Sequence, residues 1–77
     1  MKVSNKKVKK AEQKISERLK DARINSGYSQ QSLAVLAGVD RKTVNRIENG
    51  HFSPNMATFV RLCSVLKVKP SAIVRGI

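Results

Sequence analysis

SQQSLAVLAG (29–38) runs straight into VDRKTVNRIENG (39–50), and the reading of these twenty-two residues decides the fold. Ser29 is a favourable N-cap for a short helix whose buried face is expected to be Leu33, Ala34, Leu36 and Ala37, the alanines letting a neighbouring helix approach closely. Gly38 ends that helix and starts a tight turn, with Val39 plugging the corner. Asp40 is then expected to cap a second helix, its carboxylate accepting from backbone N–H groups at the positive end of the helix dipole. Tyr28 with Leu33, and Val39 with Val44, are placed for hydrophobic staples. At about 100° per residue, Val44 and Ile47 define the inward direction of this second helix. Lys42, Asn45, Arg46 and Asn49 then point outward, Arg41 projects from the exposed first turn, and Asn49-Gly50 closes the helix.

Outward from this pair, Ile15, Leu19, Ala22 and Arg23 fall on one stripe of a 3.6-residue period, so a helix is expected over 11–26 with Gly27 as its stop. A guanidinium on that core-facing edge requires a partner, and Glu48, on the core-side flank of its own helix, is the candidate. On the other side, His51–Pro54 reads as a loop. A fourth helix follows, capped by Asn55 or by Ser53 with Pro54 at its first position, its stripe being Met56, Phe59, Leu62, Cys63 and Leu66. After Val68 comes a short fifth helix, Pro70 to Arg75, contributing Ile73 and Val74. Without strand-like alternation, the class is all-α: five helices in one domain over 11–77. Residues 1–10 carry five lysines, no acid and two apolar residues besides Met1, too little apolar surface to offset ordering entropy, so a disordered basic arm is expected.

The chain has 77 residues, with 16 Lys+Arg against 5 Asp+Glu and a formal charge of +11. Such a balance selects polyanionic partners. No apolar run approaches the ~20 residues of a membrane span, and no apolar segment backs the N-terminal lysines as in a secretory signal. The single cysteine suits a reducing compartment, so a cytoplasmic, nucleoid-associated protein is expected. Cys63 lies on an apolar stripe and reads as packing. His51 has no second ligand at metal spacing. Neither metal, cofactor nor catalytic constellation is indicated, and an enzyme is not expected.

The run G-Y-S-Q-x-x-L-A-x-x-x-G-V-x-x-x-T-V-x-x-I-E-N-G, from Gly27 to Gly50, resembles the Cro/C1-type helix-turn-helix family of phage repressors and small bacterial regulators, also described as xenobiotic-response-element-like. The likeness extends over roughly residues 11–75 and implies a compact five-helix, lambda-repressor-like domain, usually dimeric, with the 41–49 helix in the major groove of double-stranded DNA. It implies base-edge reading by Arg41, Lys42, Thr43, Asn45 and Arg46. Gln30 resembles the glutamine whose side chain contacts a phosphate and braces the recognition helix, and Ser29, with Asn49 and the backbone around Gly50 and His51, falls where the family contacts phosphates. Arg23 and Glu48 match an ion pair buried in several members.

Val68, Ile73, Val74 and Ile77 exceed what so small a core needs, and a two-fold homodimer contact is expected there. The expected function is a sequence-specific transcriptional regulator, acting as a repressor on a pseudo-palindromic operator. The alternatives are an antitoxin, a restriction–modification controller, or a protein-interaction module that keeps the fold without reading DNA.

Overall fold

Two short helices cannot bury much by themselves, and the chain solves this by wrapping three more around them. The computed structural model describes residues 2–77: α1 (Asn5–Asn25), α2 (Gln30–Ala37), α3 (Arg41–Glu48), α4 (Met56–Leu66) and α5 (Pro70–Val74). The described residues form no strand. Leu19, Leu33, Ala34, Ala37, Val44, Ile47, Leu62, Cys63, Leu66 and Ile73 make one core, with Ile15, Ala22, Tyr28, Val39, Phe59, Val65 and Val68 packed round it. The α2–α3 pair sits on α4 and α1, while α5 closes over α1 and α4.

The α2–α3 corner is set by local chemistry. Ser29 and Ser32 form a reciprocal capping box at the start of α2, which satisfies two of the amides that a helix start leaves open. At its end Gly38 adopts φ +72°, and the Val39 N–H donates to the Ala34 carbonyl at 2.9 Å. A Cβ at Gly38 would meet nothing within 4 Å, so glycine is required there for its left-handed backbone and not for space.

Five expectations are corrected here. α1 starts at Asn5, not Ala11, so Asn5–Lys10 of the expected disordered arm is helical, and only Lys2–Ser4 precede it without regular structure. Met1, which belonged to that arm, lies outside the described residues. The Ser4 hydroxyl accepts from the Lys7 N–H at 3.2 Å, lysine is a good helix former, and extending a helix already nucleated at Ile15 and Leu19 avoids the nucleation cost. Leu36 is 59% exposed, because the buried arc of α2 centres between Leu33 and Ala34, about 105° away round the helix. Met56 is 76% exposed: it is the first residue after the Asn55 cap and stands ahead of the packed turns.

Asp40 does stand at the N-cap of α3, but its side chain makes no capping hydrogen bond. Its carbonyl instead accepts from the Thr43 and Val44 N–H groups, leaving the carboxylate to act only through the helix dipole. Ile73, assigned above to a contact between copies, is 4% exposed and belongs to the core of its own chain. The five-residue α5 turns one apolar side chain inward, and Arg18 holds it there, with Nη1 donating to the carbonyl of Ile73 at 2.9 Å and to that of Arg75.

Candidate nucleic-acid interface

α3 is divided sharply by burial. Val44 and Ile47 are each 1% exposed and Glu48 is 9% exposed, which anchors one side of the helix. Arg41, Lys42, Arg46 and Asn49 are exposed, and Thr43 and Asn45 are half-buried at the margin. The only acid within α3, Glu48, is on the buried side, so the outward side presents cations and amides alone. An amphipathic helix of eight residues has little stability by itself; its geometry here is imposed by the core beneath it.

Glu48 is held from three directions. Arg23 Nε donates to Glu48 Oε2 at 2.7 Å and Arg23 Nη2 to Oε1 at 3.0 Å, the bidentate pairing that a guanidinium fork and a carboxylate make best. Arg23 Nη1 also donates to the Tyr28 carbonyl at 2.9 Å, tying the end of α1 to the start of α2. The hydrogen bond to Glu48 is the main cause that raises the Arg23 pKa above its ordinary value, against burial, which lowers it. With side chains 12% and 3% exposed, the two groups are largely withdrawn from water.

From Glu48 the network runs out to the surface. Gln30 Nε2 donates to Glu48 Oε1 at 3.1 Å, Asn45 Nδ2 donates to Gln30 Oε1 at 3.3 Å, and Asn49 Nδ2 donates to Asn45 Oδ1 at 3.1 Å. A single chain of side chains thus joins α1, α2 and α3 and ends on the outward face. Gln30, expected both to contact a phosphate and to brace the recognition helix, makes a hydrogen bond at each end of its amide inside the protein and braces Asn45 on α3.

The remaining expected phosphate contacts are less available. The Ser29 hydroxyl accepts from the Ser32 N–H at 3.0 Å and the Ser29 N–H donates to Ser32 Oγ at 2.9 Å, so the backbone N–H is spent on the cap while the hydroxyl serves there as an acceptor and keeps its own O–H. The His51 N–H donates to the Arg46 carbonyl at 2.9 Å and the Gly50 N–H to that of Ile47 at 3.1 Å. The backbone grip expected around Gly50 and His51 is therefore used in closing α3, and the exposed His51 and Asn49 side chains are what this corner offers. Cys63 is 1% exposed and burial pushes its thiol pKa up, away from the thiolate form that reacts.

Sequence reasoning overlooked Arg18. The available signal was general: the last carbonyls of a terminal helix need donors, and cations serve. Nothing in the pattern singled out this residue among so many. At the other end, Val74 and Ile77 are 42% and 46% exposed, and Val68 is half-buried against the core. Val74 borders an apolar cleft of about 270 Å³ between α1, α4 and α5, whose other walls include Ile15, Phe59 and Met56.

Two short helices set across a left-handed glycine corner, the second with a buried apolar side and an acid-free cationic side, define a helix-turn-helix domain. Residues 19–73 match the helix-turn-helix family, and the chain belongs to that family, in its Cro/C1-type branch. It is 35% identical over 60 residues to the SPbeta prophage-derived HTH-type transcriptional regulator YonR of Bacillus subtilis, covering 78% of this chain and 56% of that protein. It therefore spans little more than half the length of that relative. A second B. subtilis HTH-type transcriptional regulator, YgzD, is 35% identical over 52 residues, 68% of this chain and 79% of its own. Among solved structures, the restriction–modification controller C.AhdI of Aeromonas hydrophila superposes with a TM-score of 0.77 at 31% identity, over 80% of this chain and 94% of the controller.

Proposed function

We propose that this protein is a sequence-specific, double-stranded-DNA-binding transcriptional regulator that acts as a homodimer on a pseudo-palindromic operator and represses by occupying it. The observation that carries the reading is the outward side of α3: Arg41, Lys42, Arg46 and Asn49 exposed, Thr43 and Asn45 beside them, on a helix fixed from behind by Val44, Ile47 and the Glu48 pair. An α-helix fits the major groove. There Arg41 and Arg46 suit the paired acceptors of guanine, Asn45 suits adenine, Lys42 suits base or phosphate, and Thr43 suits a thymine methyl or a phosphate. The formal charge of +11 supplies the sequence-independent, salt-dependent part of the affinity. No helix among the described residues is long and apolar enough to cross a membrane, and a protein acting on such an operator would work in the cytoplasm, on the nucleoid.

Val74 and Ile77, with the cleft that Val74 borders, supply the exposed apolar surface for a two-fold contact. Such a contact would set two α3 helices about 34 Å apart on one face of the duplex. A restriction–modification controller is the narrower alternative within the class, favoured by the near-complete overlap with C.AhdI.

Selection from a random duplex pool tests the reading. Enrichment of a motif with two-fold symmetry is expected. A single half-site would remove the dimer from the proposal, and no enrichment would remove DNA reading altogether. On the selected site, Arg46→Ala is expected to weaken binding by ~1–3 kcal/mol while affecting random DNA little. Equal loss on both would make Arg46 a phosphate anchor and not a base reader.

A further inference from the structure

Five of the first ten residues are lysines, and four of them lie within the helix α1. Asn5 to Lys10 are helical yet exposed throughout, so no core packing accounts for this part of the helix. Its lysines also oppose helix formation. Lys6 with Lys9, Lys6 with Lys10 and Lys7 with Lys10 stand three or four residues apart, where like charges each cost ~0.2–0.5 kcal/mol, and no acid precedes Glu12 to offset them. A bound polyanion would turn that cost into attraction.

The lysines are not evenly spread round the helix in what they adjoin. Lys6, Lys9 and Lys10 line one concavity together with Gln13. Lys9 and Gln13 line the adjoining one with Glu12 and Gly50. Gly50 directly follows Asn49, the last exposed side chain of the α3 face. The row Lys6–Lys9–Gln13 therefore begins where the outward surface of α3 ends, and continues it along α1. The row holds one carboxylate, Glu12, which accepts a hydrogen bond from the Ser53 hydroxyl and keeps its negative charge, against the three lysines Lys6, Lys9 and Lys10. Lys7 and Lys14 lie roughly 150° round the helix from Lys9 and line neither concavity.

We propose that Lys6, Lys9 and Lys10 form a second phosphate-binding ledge, which grips the sugar–phosphate backbone of the duplex beside the segment that α3 enters. The ledge rests on the DNA-reading proposal, but it assigns contacts that the helix-turn-helix pair cannot make. It lengthens the footprint on the side of the α3 C-terminus and adds affinity without base preference. Being helical, the ledge presents its cations in a fixed register and loses less conformational entropy on contact than a flexible tail of the same composition.

The test compares two double variants of the full chain with the parent: Lys6→Gln with Lys9→Gln, and Lys7→Gln with Lys14→Gln. Each removes two charges from the same helix, and far-UV circular dichroism checks that both keep parental helicity. Binding to the selected duplex is measured against salt concentration, with ethylation interference to locate the phosphates contacted. The first variant is expected to lower the slope of log K against log salt by about 2 and to lose flanking phosphates, while the second keeps the parental slope and footprint. Equal effects of the two variants, or no effect of either, would overturn the ledge and leave DNA reading intact. A parent that binds no duplex overturns the DNA reading itself. Lys6- and Lys9-dependent binding to phosphatidylserine vesicles with an unchanged DNA slope would assign the row to a membrane surface and overturn the ledge.

Discussion

Replacing Glu48 by glutamine is expected to lower the thermal midpoint by roughly 12–24 °C, the effect of losing ~3 kcal/mol from a domain of this size. The Arg23 and Glu48 side chains are only 12% and 3% exposed, so neither can recover its hydration while the fold persists. Glutamine keeps the shape but removes the charge, leaving the guanidinium withdrawn from water opposite a neutral amide. Whichever way its amide turns, its N–H₂ group faces a donor, either Gln30 Nε2 with Arg23 Nη2 or Arg23 Nε. Because the pair joins α1 to α3 while Arg23 also holds the Tyr28 carbonyl, the loss spreads to the placement of the whole α2–α3 corner. The measurement is thermal unfolding of Glu48→Gln, of Arg23→Met and of the double variant. A double variant well above the Glu48→Gln single would show that the orphaned charge is the source. An unchanged midpoint for Glu48→Gln would show that water reaches the pair and that it contributes little.

Ile47→Ala is expected to cost ~2–5 kcal/mol, from lost burial and from the cavity left behind. Ile47 is 1% exposed and is the inward counterpart of the α3 face, so no solvent-side collapse can fill the space. A 77-residue domain commands only ~4–12 kcal/mol in total, which makes this a large share of its stability. The urea midpoint should fall with an unchanged slope, and Ile47→Val should lose only ~0.5–1.5 kcal/mol. An Ile47→Ala cost below about 1 kcal/mol would mean that α3 can settle onto α2 and α1, and that its orientation is softer than its burial suggests.

The parts of this molecule that could be read in advance are those where a local rule and the global packing agree. Gly38 followed by Val39 reads as a corner because a left-handed residue is needed there, and φ is +72°. Val44 and Ile47 read as inward because two β-branched residues three apart fit one side of a helix, and both are buried. The miscast residues depend on information outside their own helix. Leu36 and Ile73 have the same apolar character, but which of them meets the core follows from how α2 and α5 are rotated, and α5 is held by the distant Arg18. The α1 start at Asn5 depends on helix growing back from a packed segment through residues that pack against nothing. On the candidate interface, the outward direction of Lys42, Asn45 and Arg46 followed from periodicity. The His51 N–H bond to the Arg46 carbonyl did not, since a backbone N–H just past a helix can serve a phosphate or its own chain equally well.

One consequence of the Gln30–Asn45–Asn49 chain concerns how such a protein moves over DNA that is not its target. Asn45 has one N–H engaged by Gln30 and its oxygen accepting from Asn49, so in the proposed complex it would approach the groove with a partner at each end of its amide. Facing a non-matching base, the amide keeps these partners and avoids the ~1–3 kcal/mol of an orphaned polar group. Facing adenine, it can exchange them for the base edge, with Gln30 still tethered to Glu48. On the proposed reading, mismatched sites would present a smooth surface to slide across, and the matched site would register as a swap of partners at one side chain.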